Sequence, residues 1–283
     1  MPNWCYNNMT IHGKTADLRK FISDITVSRT EETTKDDGTV EQRTETFLSM
    51  SSLYPVPEEL TKYHSPLSGR RTDDPESKEL SADDLEALRN HLQTLYGATD
   101  WYNWCLSHWG TKWGDGETRV EGLEDGEEIL PKGQSILCLY YETAWSPASG
   151  LIAHISKLYP NLAFYVVSTE EAELFACWQV FHNGEVVGEG EGETEVPAEI
   201  SVLADNEETM DEYYDKSNDW QCERNDELYE EASKCLYAYL DKAKERREKL
   251  EYAYKVRLVN LMDERDKALA EFDAREVILN RSE

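Results

Sequence analysis

The stretch SILCLYYETAWSPASGLIAHISKLYPNLAFYVV, residues 135–167, decides the fold. Its alternation of apolar and polar residues predicts a strand over Ser135–Tyr141 and a second strand over Leu162–Val167. Between them Ser146-Pro147 opens a segment whose apolar residues recur at helical spacing up to Leu158. Two strands joined by a helix are a common building unit of layered α and β folds. The stretch therefore favours a helix packed on a sheet.

The elements on either side extend this pattern into a complete domain. Trp4–Ile11 alternates like a strand, and helical spacing follows the turn at Gly13-Lys14-Thr15. Leu174–Phe181 predicts another strand, and Asn183-Gly184 is a hairpin signal after it. Polar insertions, a loop or hairpin near 28–42 and a loop near 63–77, separate the first helix from a second that starts at Ser81. The order predicts an α+β fold, a ferredoxin-like sandwich with insertions.

The region after residue 200 has a different character. Gly192 is the last glycine and Pro197 the last proline, so the two strongest helix breakers are absent beyond them. We therefore expect a ferredoxin-like domain over 1–200 and a long-helix region over 205–283. Because a long helix must cover its apolar stripe, it folds back as a hairpin, packs on the first domain or pairs between chains. The residues expected to build an oligomer are Leu236, Tyr239, Leu250, Tyr254, Leu258 and Leu261.

The charge of the chain limits what it can bind. Its 29 Lys and Arg oppose 58 Asp and Glu, which gives a net charge of −29. Such a chain does not attract nucleic acid or an anionic membrane surface by general electrostatics, whereas basic partners are favoured. The N-terminus lacks a signal-peptide pattern, and the six cysteines are widely spaced. We therefore expect reduced thiols and a cytoplasmic protein.

Two acidic clusters stand out from this background. One interpretation is a solvated loop, and the other is a surface that imitates the charge of DNA and occupies a basic channel. The candidate partner-binding residues are Asp115, Glu117, Glu121, Glu124, Asp125, Glu127 and Glu128 in one cluster, and Glu185, Glu189, Glu191, Glu193 and Glu195 in the other.

Several different aromatic motifs follow one another along residues 1–185. They are Met1-Pro2-Asn3-Trp4-Cys5, Tyr54-Pro55-Val56-Pro57, the run His108-Trp109-Gly110-Thr111-Lys112-Trp113, Glu142-Thr143-Ala144-Trp145-Ser146-Pro147, and Phe175-Ala176-Cys177-Trp178. This set resembles the YubB ferredoxin-like family of phage and plasmid proteins, although His108 stands where that family's pattern has Asn. The resemblance implies a ferredoxin-like core and a home on a phage or other mobile element. It implies no reaction.

The motif residues themselves allow three interpretations: a polar-capped aromatic core, a groove lined by tryptophans, or a catalytic site. The candidate groove residues are Asn3, Trp4, Trp109, Lys112, Trp113, Thr143 and Trp145.

Catalytic and cofactor signatures are weak. Gly13-Lys14-Thr15 resembles the end of a phosphate-binding loop, but Asn8 occupies the position where the first glycine is required. The six histidines show no metal-ligand spacing with one another or with cysteine. We expect no cofactor, no metal and no catalytic residue.

These observations together suggest a counter-defence protein. The hypothesis is a non-enzymatic phage or mobile-element protein, a DNA mimic that binds and inhibits a host defence complex, a nuclease or another DNA-binding assembly, through its acidic surface and through oligomeric clamping. Three alternatives remain. One is a ferredoxin-like module that itself binds nucleic acid, because such sheets can stack bases on aromatic side chains. The second is an enzyme of unknown chemistry, and the third is a virion or scaffold protein.

Overall fold

The computed structural model describes residues 3–34, 40–62, 81–122, 129–131, 133–205 and 207–279. Eight strands and seven helices occur in these ranges. The strands are β1 (Trp4–His12), β2 (Thr26–Thr34), β3 (Val40–Leu48), β4 (Gly116–Val120), β5 (Ile136–Ala144), β6 (Ala163–Glu170), β7 (Ala176–His182) and β8 (Glu185–Glu191). The helices are α1 (Thr15–Ile25), α2 (Glu58–Thr61), α3 (Ala82–Tyr96), α4 (Trp101–His108), α5 (Ser149–Leu158), α6 (Ala198–Ser201) and α7 (Met210–Leu279).

Six of the strands form one antiparallel sheet in the order β4-β5-β1-β6-β7-β8. β1 pairs antiparallel with both β5 and β6, and α5 connects those two strands, so β1 lies inside a split β-α-β unit. β5 likewise lies between β1 and β4, which are connected through α1 and the insertion. The set β1-α1-β4-β5-α5-β6 therefore has the ferredoxin-like arrangement of two interleaved split units. This confirms the predicted fold class.

The insertion between α1 and β4 accounts for the other elements. β2 and β3 form a separate two-stranded hairpin, which is one of the two forms predicted for the polar stretch near 28–42. Ser81 caps α3 by accepting a hydrogen bond from the Asp84 backbone N–H at 3.2 Å, as its position before the helix predicts. The polar loop predicted near 63–77 lies outside the described residues. α4 was not predicted, because its sequence was interpreted only as part of an aromatic motif.

The main core fills one face of the sheet. Phe21 of α1 packs edge-on against Phe164 of β6 with ring centroids 5.9 Å apart. Leu151 and Ile155 of α5 are fully buried in the same cluster as Leu139 of β5. Both helices thus bury the apolar stripe that their 3.6-residue spacing predicts.

The first part of α7 covers the opposite face. Leu228, Ala232 and Leu236 are buried at 3% exposure or less, and Trp178 of β7 donates its Nε1 hydrogen to Glu231 Oε2 at 2.9 Å. Of the three arrangements expected for the long helix, this part therefore packs on the sheet. A hairpin does not form within the described part of α7, because that helix is continuous over its 70 residues.

The chain divides into two compact units, Met1–Leu236 and Tyr237–Glu283. The boundary predicted near residue 200 stays a prediction. The division separates the charge: the first unit holds 47 acidic and 18 basic residues, whereas the second holds 11 of each. The whole net charge of −29 therefore belongs to the unit that contains the sheet.

The six cysteines are free thiols, and Cys222 is the exposed one. In the part of the chain that the structure describes, no helix combines the length and apolar character that a membrane span requires.

Candidate interaction surfaces

β8 shows why glycine and glutamate alternate in this segment. Gly188, Gly190 and Gly192 face Trp178 and α7, and a methyl group at Gly190 would lie 2.5 Å from Trp178 Nε1. Only glycine lets the indole ring and the helix approach the strand this closely. The glycine face of β8 is therefore the face that Trp178 and α7 cover. Glu189 points to the other side, where it accepts a hydrogen bond from Gln179 Nε2 at 3.3 Å.

The five glutamates of this segment do not form one uniform row. The pairing of β7 with β8 shifts register between Val180 and Phe181, so that Val180 lies opposite Gly188 and Phe181 opposite Val186. Such a bulge reverses which face the following residues occupy. Glu185 therefore lies on the face opposite to Glu189 and Glu191. All five are exposed, and we call them the acidic edge: Glu185, Glu189, Glu191, Glu193 and Glu195.

A groove of about 390 Å³ lies beside the acidic edge, between the end of β8 and α7. It is lined by Glu191 and Glu193 on one side and by Glu223, Glu227 and Glu231 of α7 on the other, with Trp220 at one end. We call this the acidic groove. None of these α7 residues was predicted, although Glu223, Glu227 and Glu231 repeat at the four-residue spacing that places them on one helix face.

Arg224 is the one positively charged side chain among the described residues that line the acidic groove. It is 5% exposed, and its guanidinium forms an ion pair with Glu173 at 2.5 Å and donates to the Glu193 backbone carbonyl at 3.3 Å. Its charge is thus directed at Glu173 and at the loop after β8. The groove remains strongly negative.

The other predicted acidic cluster is divided between the fold and the surface. Asp115 is committed to the fold, which differs from its predicted place on a partner surface. Its carboxylate accepts hydrogen bonds from the Met50 and Ser51 backbone N–H groups, each at 2.7 Å, and from Thr118 Oγ1 at 2.6 Å. Glu117 and Glu121 are exposed. The remaining predicted positions, Glu124, Asp125, Glu127 and Glu128, lie outside the described residues.

Two of the seven predicted groove residues are structural. Trp109 and Thr143 are buried; the Trp109 indole donates to the Tyr54 carbonyl at 2.9 Å, and Thr143 Oγ1 donates to the Ser146 carbonyl at 2.8 Å. Thr111, also buried, donates to the Ala144 carbonyl at 2.8 Å. The Thr111 bond joins the segment after α4 to the end of β5, and the Trp109 bond joins it to Tyr54. Such bonds are what the interpretation of a polar-capped aromatic core requires.

The other motif residues reach the surface at the same end of the sheet. Trp113 is 38% exposed, and the centroid of its ring lies 6.3 Å from that of Trp4. The Lys112 ammonium lies 4.4 Å from the centroid of the Trp113 ring. Trp145 is 51% exposed and has a φ of +72°, a left-handed conformation that costs about 1–3 kcal/mol for such a residue. Its backbone N–H donates to the Asn3 carbonyl at 3.0 Å. This bond, together with the one from Thr143 Oγ1 to the Ser146 carbonyl, holds the strained backbone in place.

The thiols of Cys5, Cys105 and Cys177 are weak nucleophiles near neutral pH. Burial raises the pKa of Cys5 and of Cys105 to about 12, and that of Cys177 to about 11, so these groups are protonated near neutral pH. Burial also lowers the pKa of His154, whose ring stacks on Tyr54 at 3.7 Å. No group of three or more potential metal ligands occurs in the described ranges.

The residues expected to build an oligomer fall in two environments. Leu236 is completely buried inside the first unit, so it is not available to a second chain, and Tyr239 is partly buried. In the second unit Leu250, Tyr254, Leu258 and Leu261 are between 46% and 70% exposed. These four remain candidates for contact with another molecule.

Comparisons with known proteins bear on the fold alone. Residues 109–216, from the Trp109 motif to the start of α7, match the family model described as a ferredoxin-like domain in Api92-like protein. Among solved structures, the crystal structure of a protein api92 from Yersinia pseudotuberculosis aligns with 10% identity and a TM-score of 0.35, over 70% of this chain and 100% of that one. A TM-score of this size does not by itself establish a common architecture. No curated protein matches the sequence. By sequence, residues 109–216 are thus similar to the ferredoxin-like domain of Api92-like proteins.

Proposed function

We propose that this chain is a phage or plasmid protein, related to the YubB ferredoxin-like family, that inhibits a host defence nuclease by binding it in the cytoplasm without catalysing a reaction. The observation that carries the proposal is the separation of charge, with a net −29 on the unit built around the sheet and zero on the rest of the chain. A compact body with this excess of carboxylates attracts proteins whose working surface is basic.

The acidic edge supplies the contact. Residues two apart on a strand are separated by about 6.8 Å, so Glu189 and Glu191 present one charge for about every second phosphate of a DNA strand, whose charges lie about 3.4 Å apart along the axis. The edge strand β8 has a partner on one side only, so these carboxylates can enter a channel that normally holds DNA. Binding of this kind competes with DNA and weakens as salt increases.

Replacing the five glutamates of the acidic edge with glutamine tests this proposal. The full chain and the variant are used to capture proteins from host extract, and each captured DNA-binding protein is titrated at several salt concentrations. We expect the variant to bind the target at least about tenfold more weakly and with a smaller salt dependence, because each lost charge pair contributed to steering and contact.

A matched control separates position from total charge. Glu58, Asp83, Glu86, Asp211 and Asp215 are exposed and belong to α2, α3 and the first turns of α7, not to β8 or the loop after it. Their conversion to the corresponding amides changes the net charge by the same amount. Equal affinity of both variants and the original chain contradicts the role of the acidic edge. Capture of proteins that do not contact DNA contradicts the class of target.

One observation favours a second function. The exposed Trp113 and Trp145, with Lys112 above the Trp113 ring, resemble the stacking surfaces that bind unpaired bases. A ferredoxin-like nucleic-acid-binding module would use this end of the sheet. A shift of single-stranded RNA or DNA by the chain alone at low salt, abolished by Trp113→Ala, supports this function over inhibition.

A further inference from the structure

The second unit contains a helical segment with a net positive charge, whereas the first unit is strongly negative. Residues 242–257 include seven Lys or Arg and three Glu, a net charge of +4 in a chain of −29. All of them except Ala243 are exposed. Among the described residues Arg247 has one ion-pair partner, Glu251 at 3.0 Å, with both residues in the same segment. We call residues 242–257 the basic segment.

Its cations and apolar side chains form two adjacent stripes. At 100° per residue, Lys242, Arg246 and Lys249 fall within about 60° of the helix circumference. Leu250, Tyr254 and Leu261 fall within about 40° beside them, and they are 70%, 68% and 53% exposed. A contiguous apolar stripe of this size, flanked by charges, marks a contact surface for another molecule.

The charges decide what can cover this surface. Two basic segments laid against each other repel, because each carries +4. The acidic groove of the first unit is the complementary surface: Glu223, Glu227 and Glu231 repeat every 6 Å or so along α7, close to the spacing of Lys242 and Arg246. Trp220 at the end of the groove offers an apolar contact for Leu250 or Tyr254.

We propose that the basic segment of one chain docks in the acidic groove of a second copy of the same chain. Each chain has one groove and one segment, so a two-fold dimer fills both grooves and leaves no open end. This inference goes beyond the proposed function and takes up the oligomer that the sequence leads us to expect. It depends on Glu223 and Glu227, which are not part of the acidic edge, and it does not require a host target.

Charge reversal with rescue tests the dimer. The full chain is compared with an acid variant, Glu223→Lys with Glu227→Lys, and with a base variant, Lys242→Glu with Arg246→Glu, by sedimentation at about 0.1 M salt, where charges are screened beyond roughly 10 Å. We expect the original chain to dimerise, and each variant alone to dissociate with a dissociation constant at least about tenfold higher. An equimolar mixture of the two variants should regain a dimer, because reversed groove and reversed segment are again complementary.

A second pair of lysines provides the control. Lys244 and Lys255 lie in the same segment but on the opposite side of the helix, so Lys244→Glu with Lys255→Glu makes the same charge change away from the proposed contact. This control should keep the original mass. A monomeric original chain at high protein concentration overturns the proposal, and so does a mixture that shows no rescue. Circular dichroism confirms that each variant keeps its helix.

Discussion

The two parts of α7 contain similar residues but occupy opposite environments. Up to Leu236 the helix buries leucine and alanine against a sheet whose glycines admit it. In the second unit the apolar stripe of Leu250, Tyr254 and Leu261 lies exposed beside lysine and arginine. An apolar stripe on a helix indicates that something must cover it. Whether the same chain does so depends on whether its fold offers a complementary surface, such as the glycine face of β8.

The largest expected effect contrasts two leucines of this helix. Leu236→Ala should lower the free energy of unfolding by about 2–5 kcal/mol, because it removes a completely buried side chain and leaves a cavity. Leu250→Ala should change it by less than about 0.5 kcal/mol at a concentration where the chain is monomeric, since Leu250 is 70% exposed. Urea denaturation measures both. Equal losses would show that the two parts of the helix are covered alike.

A smaller effect should follow from changing the surface that receives the helix. Gly190→Ala should cost about 1–3 kcal/mol, because the new methyl group lies 2.5 Å from Trp178 Nε1 and displaces the indole from Glu231. Gly116→Ala is the control, since the atom nearest to its added methyl group is 3.7 Å away. The quenching of tryptophan fluorescence and the urea midpoint report the change. A neutral Gly190→Ala would mean that the helix does not need the glycine face.

The smallest effect concerns alkaline pH and the first unit. Burial raises the pKa of Cys5 and Cys105 to about 12, so above the unfolded thiol pKa of about 9 the unfolded chain has lost protons that the folded chain retains. Each thiol should therefore reduce stability by about 1.4 kcal/mol in total between pH 8 and pH 10. Denaturation at pH 8 and pH 10 measures this, and Cys5→Ala should flatten the slope. An unchanged slope in that variant would show that Cys5 ionises in the folded chain.

The fold could be predicted largely from the sequence because its signals are local. Alternation marks β5 and β6, helical spacing marks α5, and Asn183-Gly184 closes the hairpin between β7 and β8 as expected. α4 escaped prediction because its aromatic residues carry both a motif and a helical face. The division predicted near residue 200 rests on the loss of glycine and proline after that point. No local pattern of this kind predicts that the first part of α7 packs on the sheet.

The candidate surfaces were less predictable. The run of glutamates in β8 was visible, but the bulge that places Glu185 on the opposite face depends on pairing with β7. The acidic groove required knowledge that α7 lies beside β8, a long-range contact that no local pattern encodes. Asp115 resembled its acidic neighbours in composition, and only its hydrogen bonds to Met50 and Ser51 distinguish it from them.

The position of β8 at the margin of the sheet has a consequence independent of any target. A terminal strand exposes unpaired N–H and C=O groups, which invite strands of other molecules to add and start aggregation. Three glutamates within seven residues and a bulge protect this strand, since an approaching copy meets like charge and a broken hydrogen-bond register. The carboxylates that we assign to recognition thus also keep neighbouring copies from fusing into a continuous β-structure.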